Sequence, residues 1–321
     1  MQALSFPGYR RVEIIDIPRP ALRDTGDAIV LVTTAGIGPW DIERYLSVGA
    51  EAIVPGGEFA GLVVEIGEDV STIDLDDLVA NTVNHSNGNG GSDLFGSTTL
   101  PGGHAEYVRV PHADQTLAKI AVSGEERSVI AGGTTGLGVN VAALTLSEVP
   151  DGTYAVVGCD PIGMTALTTL KNAGKGDQLI AVEDHLARRT LASSFASTAL
   201  SSSEIGSTHS ADVVIVGSIA EYAGIATVTD LVKPGGSIIF SEPYGPARVI
   251  EAGFKLPDGV TIASANWPTN TDVAKIVTAL QIRRLDMTPH VSHVIPLDEA
   301  QDAYEAAAEP GAGVQKVLLK P

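Results

Sequence analysis

Short runs of apolar and polar residues, separated by clusters of Pro and Gly, make up the chain from residue 1 to about residue 111. Runs of this length with turn-forming residues at both ends are typical of β-strands. Many short strands with little helix between them indicate a closed or partly closed barrel. The strands predicted here are Gln2–Phe6, Arg11–Ile17, Ala28–Ala35, Gly61–Gly67, Leu78–Val83 and Ala105–Val110.

From about residue 125 the pattern changes, and continuous apolar runs alternate with helical stretches. This alternation predicts a parallel sheet covered by helices on both faces. The predicted strands are Tyr154–Gly158, Leu179–Glu183, Asp212–Gly217, Gly236–Ser241 and Val260–Ala263. The predicted helices are Pro161–Ala173, Leu186–Phe195, Ile219–Val232 and Asp272–Arg283. A short amphipathic helix, Leu297–Ala308, and a strand that returns to the first domain, Gln315–Lys320, end the pattern.

Charge and composition exclude several classes of partner. Acidic residues outnumber basic ones by 39 to 20, so the formal net charge is −19. Nucleic acids and anionic membranes are bound through basic surfaces, so neither is expected as a partner. The sequence shows no apolar run as long as a membrane span and no signal-peptide layout, which predicts a cytoplasmic protein. The single cysteine, Cys159, excludes an intramolecular disulfide and a multi-cysteine metal site.

The strongest chemical signal lies at residues 154–163, where a short apolar strand leads into a Gly-rich turn and then a helix. A dinucleotide-binding unit needs this order, because the helix N-terminus then points at a pyrophosphate. The next strand ends at Glu183, about where such units keep a carboxylate for the ribose hydroxyls. The candidate cofactor-binding residues are Gly158, Asp160, Pro161, Ile162, Gly163, Glu183 and, at the end of the following strand, Gly217.

Five motifs, one of them within this stretch, occur in a fixed order along the chain. They read A-G-I-G-P-W-D at 35–41, G-G-E-F-A-G at 56–61, G-H-A-E-Y-V at 103–108, V-G-C-D-P-I-G at 157–163 and H-V-I-P-L-D-E-A at 293–300. In this order they resemble the medium-chain dehydrogenase/reductase family, the alcohol dehydrogenase superfamily. The resemblance implies an α/β fold with a GroES-like β-barrel catalytic domain, 1–124 with 290–321, and a doubly wound Rossmann domain, 125–289. It also places the substrate between the two domains.

The metal positions depart from the family pattern. Zinc-dependent members carry a Cys and a His where this chain has Gly38 and Gly57, so of the matching positions only Glu58 keeps a possible ligand. A catalytic zinc needs three protein side chains, and we therefore expect none. The loop that holds four cysteines in many members is here the cysteine-free stretch Asn84–Gly103, which excludes a structural zinc as well. This stretch is polar and rich in Gly, Ser and Asn, so it is expected to be an exposed loop, and His85 within it is expected to be exposed.

The positions of the family's proton relay have also changed. Trp40 stands in place of a Ser, and Glu43 in place of a His. Trp40 is interpreted either as a substrate platform or as an aromatic side chain that fills the space left by the metal. Glu58, if buried without a metal, could act as a general acid or base. The alternative is a carboxylate held by a neighbouring arginine.

Cofactor use depends on Asp160, which replaces the middle glycine of G-x-G-x-x-G. The charge of Asp160 at about 4 Å from a phosphate would repel the phosphate by roughly 4 kcal/mol. Asp160-Pro161 is also a favoured start for a helix, and a carboxylate that caps this helix would occupy the phosphate site. The alternative is a displaced loop with the cofactor still bound. By resemblance, Thr135 in Thr134-Thr135-Gly136 lies beside the nicotinamide end. Glu183 and Asp184 would repel a 2′-phosphate, so NAD is expected over NADP.

These observations predict a zinc-independent, NAD-linked oxidoreductase that transfers hydride to or from a small organic substrate, with Glu58 or Glu43 handling the proton. The alternative is a non-redox catalyst, for a cyclisation or isomerisation, or a pseudo-dehydrogenase that has lost cofactor use through Asp160. A homodimer is expected, because family members pair through the edge of the dinucleotide-domain sheet. The available edge is predicted to be Val260–Ala263 with Leu285–Val291.

Overall fold

The computed structural model describes residues 1–47, 53–86, 92–121, 124–206, 210–217, 225–242, 245–247, 255–309 and 314–321. The chain forms two compact units, one of residues 1–136, 268–309 and 316–321 and the other of residues 137–267 and 310–315. The boundaries between the units thus follow residues 136 and 267, whereas the division predicted from the sequence follows residues 124 and 289. No helix in the described ranges is long and apolar enough to cross a membrane.

The secondary structure follows the predicted order. The strands are β1 (Gln2–Gly8), β2 (Arg11–Asp16), β3 (Ala28–Gly36), β4 (Glu58–Ile66), β5 (Leu78–Asn81), β6 (Asn84–Ser86), β7 (Ser92–Leu94), β8 (Tyr107–Val110), β9 (Leu117–Lys119), β10 (Tyr154–Val157), β11 (Leu179–Val182), β12 (Thr198–Leu200), β13 (Ala211–Val216), β14 (Val232–Phe240), β15 (Thr261–Ser264), β16 (Val291–Pro296) and β17 (Lys316–Lys320). The α-helices are α1 (Pro39–Tyr45), α2 (Ala113–Thr116), α3 (Glu125–Ser128), α4 (Thr134–Glu148), α5 (Pro161–Leu170), α6 (Leu186–Ala192), α7 (Ile225–Leu231), α8 (Asn270–Gln281) and α9 (Ala300–Ala308). Part of the predicted helix Ile219–Val232, residues 219–224, lies outside the described residues.

The first unit is built on a seven-stranded sheet. Its strand order is β16-β17-β3-β4-β5-β9, and β8 also pairs with β3. The C-terminal strand β17 runs antiparallel to β3, with Leu318 opposite Gly36, so the end of the chain returns to the first domain as predicted. Alternate residues of β3, among them Ala28, Val30 and Val32, are buried in the core of this unit. The pleat therefore places one face of β3 inside.

The second unit is a six-stranded parallel sheet in the order β12-β11-β10-β13-β14-β15. In chain order this is 3-2-1-4-5-6, the doubly wound arrangement of dinucleotide-binding domains. The register pairs Val157 with Val182 on one side and with Val216 on the other, so β10, β11 and β13 end at the same edge of the sheet. Ligands of such sheets bind where the strand order reverses, here between β10 and β13. The predicted fold class is confirmed.

Two local predictions are wrong. The stretch Asn84–Gly103 is not simply an exposed loop, because it contributes Phe95, which is fully buried and packs edge-on against Phe59 with ring centroids 5.1 Å apart. His85 is 7% exposed and stacks on His112, and burial lowers the pKa of His85.

The segment Leu285–Val291 belongs to the first unit, so it cannot extend the edge of the six-stranded sheet. Its last residue, Val291, begins β16, which pairs with β17 in the seven-stranded sheet. The predicted dimer edge is therefore reduced to β15, the last strand in the order of the six-stranded sheet.

Candidate functional site

The carboxylate of Asp41 fastens the start of α1 to the loop before β4. Its Oδ2 accepts a hydrogen bond from the Gly38 amide at 2.9 Å, and its Oδ1 accepts one from the Gly56 amide at 2.9 Å. Asp41 is fully buried, and Pro39 supplies the fixed φ that favours the first turn of a helix. These contacts bring Gly38 and Gly57, the two positions where the resemblance implies metal ligands, against one side chain.

That side chain is Trp40, which is 7% exposed. A Cβ added at Gly38 would lie 2.3 Å from Cε2 of the indole, and a Cβ added at Gly57 would lie 2.2 Å from its Nε1. Real Cβ atoms do not approach other heavy atoms this closely, so any side chain at either position would have to displace the indole. Trp40 therefore occupies the space in which side chains at residues 38 and 57 would begin.

Glu58, at the start of β4, forms a buried ion pair with Lys316, at the start of β17. The Lys316 ammonium also donates to the carbonyl of Ile37 at 2.6 Å and to Oγ1 of Thr134 at 2.9 Å. The other carboxylate oxygen of Glu58 accepts from the Thr134 amide at 2.5 Å. Both charged residues are at most 1% exposed. Several hydrogen bonds offset the desolvation of the two charges, which a buried ion pair requires.

His104 lies beside this pair and is fully buried. Its Nε2 is 3.2 Å from the Gly36 carbonyl, which can only accept, so the ring proton is on Nε2 and Nδ1 accepts from the Tyr304 hydroxyl at 2.8 Å. Burial lowers the pKa of His104 and raises the pKa of Tyr304 well above its ordinary value. Both groups are therefore neutral at pH 7 and serve to hold β3 against α9.

Glu43 is an exposed residue of α1. The buried residues of the helix are Trp40, Asp41, Ile42 and Tyr45, so Glu43 lies on the opposite side. Of the two carboxylates predicted to handle a proton, the structure encloses Glu58 and leaves Glu43 at the surface.

In the second unit, the Gly-rich turn connects β10 to α5. Gly158 has a φ of +82°, a conformation that L side chains rarely adopt. A Cβ at Gly163 would lie 2.0 Å from the Gly158 carbonyl oxygen, so only glycine permits this close packing of helix and strand. These are the roles that the first and third glycines have in the dinucleotide fingerprint.

Asp160 is the N-cap of α5, as the Asp-Pro sequence predicts, and Pro161 follows at the first helical position. Its Oδ1 accepts from the Gly163 amide at 2.8 Å, and the residue is 2% exposed. The same oxygen is 3.0 Å from the place where a Cβ at Gly217 would lie. The carboxylate thus lies within the turn, between α5 and the end of β13, and Ile162 follows it as a buried residue.

Glu183, at the end of β11, is 6% exposed and binds two backbone amides. It accepts from Cys159 at 2.9 Å and from His185 at 2.8 Å. A small cavity of about 60 Å³ opens here, lined among others by Gly158, Glu183 and Asp184. Cys159 itself is buried, and burial raises its thiol pKa well above the ordinary value, so it is not a reactive thiol.

Thr135 belongs to the first unit, at the start of α4. It is fully buried, and no residue of the described chain offers its Oγ1 a hydrogen bond. A buried hydroxyl without a partner is costly, so this oxygen is suited to a bound molecule.

Three comparisons place this chain among known proteins. The family model "Alcohol dehydrogenase GroES-like domain" matches residues 24–121. "Zinc-type alcohol dehydrogenase B" of Aspergillus flavus is 26% identical over 356 residues, which cover 100% of this chain and 81% of that protein. "Uncharacterized zinc-type alcohol dehydrogenase-like protein AdhB" of Bacillus subtilis is 29% identical over 386 residues and covers both chains fully, at 100% each. Among solved structures, alcohol dehydrogenase TADH from Thermus sp. ATN1 superposes with a TM-score of 0.79 at 25% identity, covering 100% of this chain and 99% of that one.

The chain is thus similar along its whole length to zinc-type alcohol dehydrogenases, and its residues 24–121 match their GroES-like domain. At the two positions where the resemblance implies a Cys and a His as metal ligands, this chain has glycines. Gly38 and Gly57 have no donor side chains, and Glu58 already binds the Lys316 ammonium. Within the described ranges, no three His, Cys, Asp or Glu side chains are grouped so that they could hold a metal ion. These residues do not fit a catalytic zinc.

Sequence reasoning missed Lys316 and Thr134 as members of this site. One of the two interpretations of Glu58 pairs it with a neighbouring arginine, whereas the partner in the structure is Lys316, far along the chain. One signal was available, because Lys316 opens an apolar strand, Lys-Val-Leu-Leu-Lys, at a position that the return to the first domain would bury. A buried lysine requires an acidic partner.

Proposed function

We propose that this chain is a zinc-independent, nicotinamide-dependent oxidoreductase of the medium-chain dehydrogenase/reductase family that acts on a small organic substrate. The relatives named as alcohol dehydrogenases support the enzyme class, a dehydrogenase. The observation that carries zinc independence is the position of Trp40, whose indole fills the space of the side chains missing at residues 38 and 57.

A second observation supports zinc independence. The Lys316 ammonium brings a positive charge to Glu58, Ile37 and Thr134, all in the first unit. An internal cation at this carboxylate makes a divalent metal there unfavourable, because two positive charges would share one ligand. The protein thereby supplies its own counter-charge for Glu58.

Within the second unit, the residues that would hold a nicotinamide cofactor are Gly158, Ile162 and Gly163 of the Gly-rich turn, together with Glu183 and Gly217. The cofactor would supply the hydride or accept it. Glu183 would orient the adenosine ribose through its carboxylate, which has to exchange an amide for a ribose hydroxyl. The carboxylates of Glu183 and Asp184, both lining the cavity at the end of β11, would repel a 2′-phosphate, so we propose NAD as the preferred cofactor.

Glu58 is proposed as a positioning residue that holds the starts of β4, β17 and α4 together. Its two oxygens contact Lys316 and Thr134, and removing its charge by protonation would leave a buried ammonium without its counter-ion. A role in proton transfer requires contact with substrate, which an enclosed side chain does not have. Glu43, on the exposed side of α1, has no burial that would tune it for this role.

Two measurements on the purified protein test this proposal. Elemental analysis is expected to show no stoichiometric zinc, and a chelator is expected to leave the melting temperature unchanged. Calorimetric titration is expected to show NADH binding, tighter than that of NADPH, and an NAD-dependent turnover should be found in a screen of alcohols and aldehydes. One tightly held zinc per chain would contradict the metal proposal, and absence of NADH binding would contradict the redox proposal.

One observation favours a second function. The Asp160 carboxylate caps its own helix through the Gly163 amide, and phosphate would need this region. If it excludes the cofactor, the chain is a non-redox catalyst or a pseudo-dehydrogenase on the same scaffold. Titration with NADH distinguishes the two functions, since only the first binds it.

We also propose a homodimer. The strand β15 is an edge of the six-stranded sheet among the described strands, and pairing of two copies along it would satisfy its open backbone groups. Light scattering is expected to give twice the chain mass, and a monomer at micromolar concentration would contradict the proposal.

A further inference from the structure

A cavity of about 380 Å³ in the first unit lies away from the residues discussed so far. One wall is the segment that follows β2, and the opposite wall is formed by β8 and the residues that precede it. This volume falls within the range of roughly 300–1,000 Å³ that is usual for small-molecule sites. Apolar side chains make up most of the lining, among them Ile17, Pro18, Pro20, Val54, Leu100 and Val108.

The charged residues of the lining are all of one sign. Arg19, Arg23 and Arg109 line the cavity, and none of its described lining residues is acidic. On a chain with 39 acidic and only 20 basic residues this concentration of positive charge is unusual. A concave apolar wall strengthens the field of such charges and attracts anions.

The three arginines differ in their partners. Arg109 is held by the buried Asp27, with Nη1 2.9 Å from Oδ2. Arg19 is held by Glu65 at 2.6 Å and lies over the ring of Tyr107, 4.5 Å from its centroid. The guanidinium of Arg23 contacts no acidic group in the part of the chain that the structure describes, and the residue is exposed. Arg23 is therefore the arginine that can bind an anion, while the other two fix the walls.

From this arrangement we infer that the cavity is a binding site for a small carboxylate with an apolar body. The guanidinium of Arg23 would bind the carboxylate, for which its planar fork of donors is suited. The apolar body would be buried against Leu100 and Val108, which gains free energy in proportion to the apolar surface removed from water. The site lies wholly in the first unit and does not depend on the cofactor.

Calorimetric titration of the full chain with three eight-carbon probes tests this inference. Octanoate has the carboxylate, 1-octanol has the same tail without charge, and octylammonium has the opposite charge. Octanoate is expected to bind at least about tenfold more tightly than 1-octanol, since a charge-assisted hydrogen bond favours it. Octylammonium is expected not to bind.

Three variants locate the binding. Arg23→Gln is expected to weaken octanoate binding about tenfold or more. Ala21→Trp, which fills the cavity from an exposed lining position, is expected to abolish it. Arg11→Gln is the matched control, because Arg11 is an exposed arginine of the same unit that does not line the cavity, and it should leave the affinity unchanged.

Each other result overturns the inference. Equal affinity for octanoate and 1-octanol would mean that the arginines do not select an anion. Octanoate binding that survives Ala21→Trp would lie outside the cavity, and a loss in Arg11→Gln equal to that in Arg23→Gln would indicate general surface charge. No binding of octanoate at millimolar concentration would also overturn it.

Discussion

The indole nitrogen of Trp40 lies 2.2 Å from the point where a Cβ at Gly57 would be. The indole in this position therefore requires that residue 57 has no side chain. The same relationship holds at Gly38, where the distance is 2.3 Å to Cε2 of the indole. The family pattern that this sequence resembles has a Cys and a His at these two positions, and those side chains would need the space that Trp40 fills.

A double-mutant cycle tests this coupling. Gly57→Ala alone is expected to lower the free energy of unfolding by about 1–3 kcal/mol, because the methyl group overpacks the indole. In a Trp40→Ala background the same change should cost little, so the interaction energy should be on the order of 1–3 kcal/mol. Denaturant unfolding of the four proteins measures it.

Gly8→Ala is the matched control for this cycle, because a Cβ at Gly8 would meet no atom within 4 Å. It should show no coupling to Trp40→Ala. Equal costs of Gly57→Ala in both backgrounds would show that the indole is not where the structure has it.

Removing either charge of the buried pair Glu58–Lys316 alone is expected to lower the free energy of unfolding. Lys316→Met should lower the free energy of unfolding by about 3–5 kcal/mol, because it leaves an uncompensated buried carboxylate. The double variant Glu58→Gln with Lys316→Met should recover much of this loss. Lys175→Met, which removes a surface partner of the 88%-exposed Asp151, is the control and should change stability little.

The same variants assign the role of Glu58. A positioning residue predicts that Glu58→Gln lowers stability and leaves activity per folded molecule largely unchanged. Loss of turnover with an unchanged melting temperature would contradict this role and return Glu58 to proton transfer.

The free energy of unfolding is expected to decrease as the pH is lowered from 6.5 to about 4, because of His290. His290 is fully buried, and burial lowers its pKa to about 4 from the ordinary value of 6.5. Between pH 6.5 and about 4, His290 is protonated in the unfolded chain and neutral in the folded protein. Protonation therefore favours the unfolded chain in this range, and the stability that is present above pH 6.5 is lost as the pH falls to about 4. Unfolding at pH 7.5 and 5 should show a smaller difference for His290→Gln than for the wild type. An unchanged difference would contradict the prediction.

Much of the fold follows from local patterns. The Asp-Pro pair at 160–161 predicts the start of α5, and the structure has Asp160 as its N-cap because capping depends only on neighbouring residues. The parallel strands β10 and β11 are also predicted from local sequence, since their runs are apolar throughout. The return of the last strand is also predicted correctly, and β17 pairs with β3.

What the sequence could not predict are contacts between distant segments. Lys316 reaches Glu58 only because β17 lies beside β3, and no spacing in the sequence indicates that register. His85 is buried and its ring stacks on that of His112, whereas its polar neighbours in the sequence suggest exposure. Leu285–Val291 has no pattern that assigns it to one sheet, and its membership of the first unit is decided by the whole fold. These are placements that local propensity does not encode.

The last prediction concerns the carboxylate of Asp160 in the phosphate region. Its Oδ1 already accepts a hydrogen bond from the Gly163 amide at 2.8 Å, so this donor is not available to a phosphate. A phosphate nearby would also be repelled by the charge of the carboxylate. Asp160→Gly removes both obstacles, so NADH is expected to bind the variant more tightly than the wild type, by up to roughly a thousandfold if the repulsion is about 4 kcal/mol. The loss of the cap should cost only about 0.5 kcal/mol or less of stability, since glycine is itself tolerated at an N-cap.

Calorimetric titration of both proteins with NADH measures this change. Thr269→Gly is the matched control, because it removes the N-cap of α8, where Thr269 binds the Asp272 amide, and it should not alter NADH affinity. Equal NADH affinity of the wild type and Asp160→Gly would show that the carboxylate does not oppose the cofactor. Binding by the variant alone, with none by the wild type at millimolar NADH, would contradict the redox proposal and favour the non-redox function, because the chain would then have closed its phosphate site with its own side chain.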